Sequence, residues 1–142
     1  MQEIRHMHKL FIATLLLYTA LVAKAVSGTT PCDGIDRSLP QAADSMLDRE
    51  IAKQLHVAKA DLLQSFKSDK WSILYVETHE SDEVFLFYAG NPLTRHFVLT
   101  WSGAAGIDEE DDTRAWVMKH AKGIPRRLAA CFAWHVTKDR DM

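Results

Sequence analysis

Cys131, His135 and Asp139 stand four residues apart in turn, so they share one side of either a helix or a strand. A thiolate beside an imidazole is a nucleophile, and a carboxylate behind the ring can orient it. That trio admits a small cysteine-dependent hydrolase or transferase. Cys32 makes a competing claim on the same sulfur. In an oxidising compartment two distant cysteines form a disulfide, and a bridge from Cys32 to Cys131 removes the nucleophile.

Other clusters point to chemistry less strongly. His56, His79, His96, His120 and His135 fall in no metal-ligand spacing such as His-Glu-x-x-His, so the sequence implies no metal and no other cofactor. His96 and His135 lie in expected strands and approach each other if those strands pair. Glu77, Glu80, Asp82 and Glu83 gather at one expected hairpin tip, a convex and wet position where carboxylates stay solvated rather than forming a glycosidase pair. Gly103-Ala104-Ala105-Gly106 sits where a phosphate loop would, but no lysine follows it and four consecutive acidic residues, 109–112, repel a phosphate. There is no Gly-x-Ser-x-Gly elbow.

These residues must be carried by elements, and the first 25 residues decide where those elements fold. Arg5, His6, His8 and Lys9 precede an apolar run over residues 10–23, which closes on Ala23-Lys24-Ala25. This has the layout of an export signal, with small residues at the two positions a signal peptidase reads. The run is too short to span a bilayer core comfortably. The expectation is a signal peptide over 1–25 and one exported domain over 26–142, with no membrane span after cleavage. The location is then periplasmic in a Gram-negative cell and secreted otherwise.

The leader holds Arg5, Lys9 and Lys24 against Glu3, so the remainder is two charges more acidic than the whole chain's net −2. That balance gives no electrostatic reason to bind nucleic acid. Residues 51–67 look superficially like a helix-turn-helix, yet export and acidity both argue for a helical hairpin packed on a sheet.

The apolar spacing then orders the elements. After a polar lead-in tied down by Cys32, Asp44 or Ser45 caps a helix carrying Met46, Leu47, Ile51 and Leu55. A second helical piece is expected over 59–66. Residues 71–78, 84–89 and 95–102 read as three antiparallel strands, the middle one apolar on both faces as a covered central strand requires. A helix follows Asp108, with acidic residues in its first turn, and Gly123 stops it. Residues 128–136 alternate and read as a fourth strand, although 126–133 also suit a helix.

The fold class expected is therefore α+β: N-terminal helices and one later helix packed on an antiparallel sheet of about four strands. Trp71, Trp101, Trp116 and Trp134 suit an aromatic core; if helices covered only one side, the other would offer aromatic rings to a partner. By elimination the sequence favours an exported binding protein that recognises another protein, as an inhibitor or immunity-type protein does. Tyr75, Tyr88, Arg95 and His96, near strand ends around the Pro92 turn, are the expected binding residues. A small-ligand carrier is the remaining alternative to the cysteine enzyme.

Overall fold

The computed structural model describes residues 29–39 and 44–139. The leader expected at 1–25 lies outside them, as do the side chains of Asp44 and Ser45, the expected helix caps. Among the described residues the chain forms α1 (Asp44–Leu55), β1 (Asp61–Ser68), β2 (Trp71–Glu77), β3 (Val84–Ala89), β4 (Leu99–Ser102), α2 (Glu110–His120) and α3 (Arg126–Lys138). The strands make one antiparallel sheet in the order β1-β2-β3-β4. The architecture is α+β.

Residues opposite one another in an antiparallel pair point to the same face, so the register separates the sheet into two sides. Phe66, Ile73, Phe87 and Leu99 form one row, and Gln64, Tyr75, Phe85 and Trp101 the next. This side packs on Val117 of α2 and on Leu128, Phe132 and Val136 of α3, with Cys32 and Cys131 in the same cluster. The opposite side carries Leu74, Val76, Leu86 and Tyr88, which pack on Leu47, Ile51 and Ala52 of α1. Helices therefore cover both faces, and β3, buried from Phe85 to Tyr88, is the covered central strand expected from its composition. The aromatic face is core rather than a naked surface.

Three expectations need correction. Residues 59–66 do not form a helix. Leu62, Leu63 and Phe66 have helical spacing, but the run lies one tight turn from β2 and pairs with it over nearly its whole length, burying Phe66 completely. The turn is Asp69-Lys70, with Asp69 at φ 55°. Ladder pairing and burial there outweigh a weak local preference. No helical hairpin exists at 51–67, and one N-terminal helix is present among the described residues instead of two.

The second correction concerns 128–136, which is the body of α3. Leu128, Cys131, Phe132, His135 and Val136 follow the i, i+3, i+4 pattern, and the run has three alanines and no β-branched residue before Val136. A nearly unbroken apolar stretch hides its period, because both faces of a strand and the wide face of a helix look alike. Third, β4 is confined to Leu99–Ser102. The Thr94 and Arg95 N–H groups both donate to the Asn91 carbonyl, and this turn takes up the residues that would have extended the strand. Gly123, at φ 91°, ends the α2 segment in a backbone region that L side chains rarely adopt, as its position predicts.

The lead-in is held at two points. Cys32 is bonded to Cys131 across a sequence separation of 99 residues, with S–S 2.04 Å. Asp36 and Lys67 exchange backbone hydrogen bonds of 3.1 and 2.8 Å, so residue 36 caps the exposed edge of β1.

Candidate functional site

The trio of Cys131, His135 and Asp139 is brought together, but not as a catalytic centre. The Cys131 sulfur is bonded to Cys32, so no thiolate is present. His135 is 4% exposed and sits against the rings of Phe66 and Phe85, at centroid distances of 4.8 and 6.0 Å. Its Nδ1 lies 3.4 Å from Asp139 Oδ2, and the same oxygen is 3.5 Å from the Arg37 guanidinium, which stands over the Phe66 ring. This chain of contacts fastens the end of α3 to the lead-in. His96 is exposed in the loop before β4 with its ring against Phe97, and it does not meet His135, which a helix carries on the other side of the sheet.

At the β2–β3 connection Glu80 and Asp82 are exposed and Glu77 and Glu83 are half-buried, and Glu80 Oε1 accepts from the Ala58 N–H at 3.0 Å. Asp61 rather than Glu80 or Asp82 organises the cluster: Lys59 Nζ donates to Asp61 Oδ2 at 2.7 Å, and His79 Nε2 stands 2.6 Å from the same oxygen. The Lys59 hydrogen bond, followed by that of His79, holds the Asp61 carboxyl below its ordinary range. Among the described residues no group of three or more His, Cys, Asp or Glu is placed to hold a metal ion. Nor is any helix among them long and apolar enough to cross a membrane.

The four expected binding residues are dispersed over three settings. Tyr75 is half-buried on the α2–α3 side and stacks on Phe85 at 4.3 Å. Tyr88 is buried on the α1 side, where its hydroxyl donates to Gln54 Oε1 at 3.0 Å. Burial pushes its phenol well above the ordinary value, and the nearby Glu50 adds to the shift. Arg95 and His96 are exposed in the loop between β3 and β4. Gln54, which sequence reasoning did not single out, connects two of these settings. Its amide nitrogen donates to the carbonyls of Pro92 and Arg95 at 3.0 and 3.1 Å while its oxygen accepts from Tyr88. α1 thereby fixes the loop.

Beside that loop the α1 side of the sheet is not fully covered. A recess of about 350 Å³ opens between the β1–β2 turn and residues 90–93, lined by Leu47 of α1, by Ser65, Ser72 and Leu74 of the sheet, and by Pro92 and Leu93. It exists because β1 and β2 carry serines here. The row Lys67–Ser72–Tyr88 follows the row Ser65–Leu74–Leu86, and two small side chains leave a hollow that leucines would fill. Ser65 and Ser72 are 1% and 7% exposed, and among the described residues neither hydroxyl meets a side-chain or backbone hydrogen-bond partner. Lys67, Asp69 and Lys70 also line the recess.

A wider depression of about 650 Å³ lies between α2 and α3, lined by Arg114, Met118, Arg126, Arg127 and Ala130. Two of its cations are already engaged. Arg114 pairs with Asp111 at 2.9 Å, and Arg127 donates to the Gly34 carbonyl at 2.8 Å. The serine-floored recess is the stronger candidate. Comparison of the chain with protein-family models, with curated proteins and with solved structures gave no match.

Proposed function

We propose that this chain is an exported, non-catalytic binding protein that recognises another protein, with the recess beside the 90–96 loop as the socket for the partner's anchoring side chain. The recess carries the reading. It is concave and mainly apolar, and it stands next to the exposed Arg95 and His96, the arrangement of an apolar anchor site with a polar rim. The leader and the Cys32–Cys131 bridge support export, since such a bridge persists in an oxidising compartment. The bridge also withdraws the sulfur on which the cysteine-enzyme reading depends.

Ser72→Phe tests the proposal by filling the recess from its floor. The variant is expected to keep its disulfide and its melting temperature, and to lose the one stoichiometric partner that wild type retains from envelope extract. Equal capture by both proteins, or turnover of a substrate, overturns the proposal. A volume of about 350 Å³ also falls within the range of small-ligand sites, which favours the carrier as the second reading. A small molecule that co-purifies with wild type but not with Ser72→Phe in native mass spectrometry would select it.

A further inference from the structure

We infer that the depression between α2 and α3 is a docking surface for an acidic segment of a protein partner, whose aspartate or glutamate carboxylates pair with Arg114 and Arg126. Charge is segregated along the chain. Residues 113–138 hold Arg114, Lys119, Lys122, Arg126, Arg127 and Lys138 and no aspartate or glutamate, in a protein whose net charge is −2. The fold gathers this stretch into α2, α3 and the turn between them, with each of these cations exposed. An acidic molecule thereby presents one basic face.

Local structure accounts for only part of that charge. Lys119 stands in the last turn of α2, where the helix dipole favours it, and Lys138 pairs with Glu110. Arg126 and Arg127 stand in the first turn of α3, where the same dipole disfavours a cation. Arg127 has a structural task, since its guanidinium donates to the Gly34 carbonyl. The Arg126 side chain has no such task, and it has no ion-pair or hydrogen-bond partner among the described residues. Arg114 pairs with a carboxylate of Asp111 that is 86% exposed, so water screens the contact and an incoming carboxylate can take its place.

The lining selects the kind of anion. Arg114 and Met118 are one turn apart on α2, as are Arg126 and Ala130 on α3, so each helix contributes one guanidinium and one apolar contact. The cations that line the depression are all arginines, whose planar fork binds a carboxylate through two parallel hydrogen bonds. Half-buried Met118 supplies an adaptable surface for the aliphatic part of the segment. Asp111 and Asp33 are close by but do not line the depression, and Asp33 Oδ1 already accepts from Thr30 Oγ1. A membrane or a nucleic acid would spread over the acidic run at 109–112 and be repelled by it. A short segment seated in the depression meets mainly arginine.

The test uses the mature, disulfide-bonded protein in about 0.15 M salt, where charges beyond about 8 Å are screened. The probes are the capped hexapeptide Asp-Leu-Asp-Asp-Leu-Asp and its neutral counterpart with asparagine for aspartate, followed by amide chemical shifts. The acidic peptide is expected to shift residues 114, 118, 126, 127 and 130, and the neutral one to bind at least about tenfold more weakly. Arg114→Gln/Arg126→Gln should melt no lower than wild type and lose at least about tenfold in affinity. Lys70→Gln removes a charge beside the recess, on the side of the sheet that α1 covers, and should bind the peptide as wild type does, as should Ser72→Phe. An equal loss in Lys70→Gln assigns binding to net charge and overturns the surface, as does unchanged binding by the double arginine variant. Equal binding of the two peptides overturns the carboxylate pairing. Preference for phosphatidylglycerol vesicles or for an oligonucleotide overturns the protein segment as occupant. No shift with either peptide overturns the docking surface and leaves the recess proposal standing.

Discussion

Tyr88 shows how one buried polar group positions a surface. Its hydroxyl binds Gln54, and Gln54 in turn binds two carbonyls of the loop that borders the recess. Removing that hydroxyl with Tyr88→Phe leaves the Gln54 oxygen without this donor, at a cost of about 1 kcal/mol in urea unfolding at neutral pH. The pH dependence has a definite sign. Burial raises the phenol's value in the folded state, so the unfolded chain gives up its proton first. The stabilisation is whole below about pH 10 and is lost as pH climbs from there towards the raised value. Tyr88→Phe should therefore decline less steeply than wild type above about pH 10. An identical decline would assign the alkaline loss to other groups.

Among the elements, α3 carries most of the packing against the sheet's aromatic side. Phe132 meets Phe85, Phe87 and Trp101 edge to face, with centroids 5.1, 4.9 and 5.9 Å apart. Phe132→Ala is expected to destabilise by about 3–5 kcal/mol, through lost transfer energy and the cavity left behind. Leu63→Ala, at the exposed irregularity of β1 between Leu62 and Gln64, should cost under about 0.5 kcal/mol. Chemical denaturation of both variants checks the contrast, and similar losses would contradict the burial pattern. Local spacing points to the wrong element at 59–66, and at 126–137 it suits a strand and a helix alike, of which the helix is present. Residues 59–66 have helical spacing but pair as β1, and 128–136 alternate but coil as α3. In each case the deciding interactions are long-range: the β2 ladder for one, the aromatic side of the sheet for the other.

The molecule as a whole is closed by one bond. Cys32 and Cys131 join the start of the described chain to its last helix, and the loop between them is about 100 residues long. Constraining a loop of that length in the unfolded state is worth up to about 4.7 kcal/mol in the chain-entropy model. Cys32→Ala/Cys131→Ala should fold with stability reduced by up to that amount. The unreduced wild-type protein should take up no alkylating reagent until a reductant is added. Free thiols in protein recovered from the envelope, or an unchanged denaturation midpoint without the bridge, would contradict the staple.

Composition and alternation were sufficient for the α+β class, for the pairing of the two cysteines and for the central, doubly covered β3. Each of these follows from a property carried along a short stretch or from a choice among two sulfurs. Tertiary structure alone decided that α1 covers one side of the sheet and α2 and α3 the other, that Tyr75 and Tyr88 face opposite ways, and that two serines seven positions apart floor one recess. Ser65 and Ser72 look like ordinary polar residues in sequence. Their meaning depends on a strand register and on what α1 and the 90–93 turn leave uncovered, which no local pattern contains.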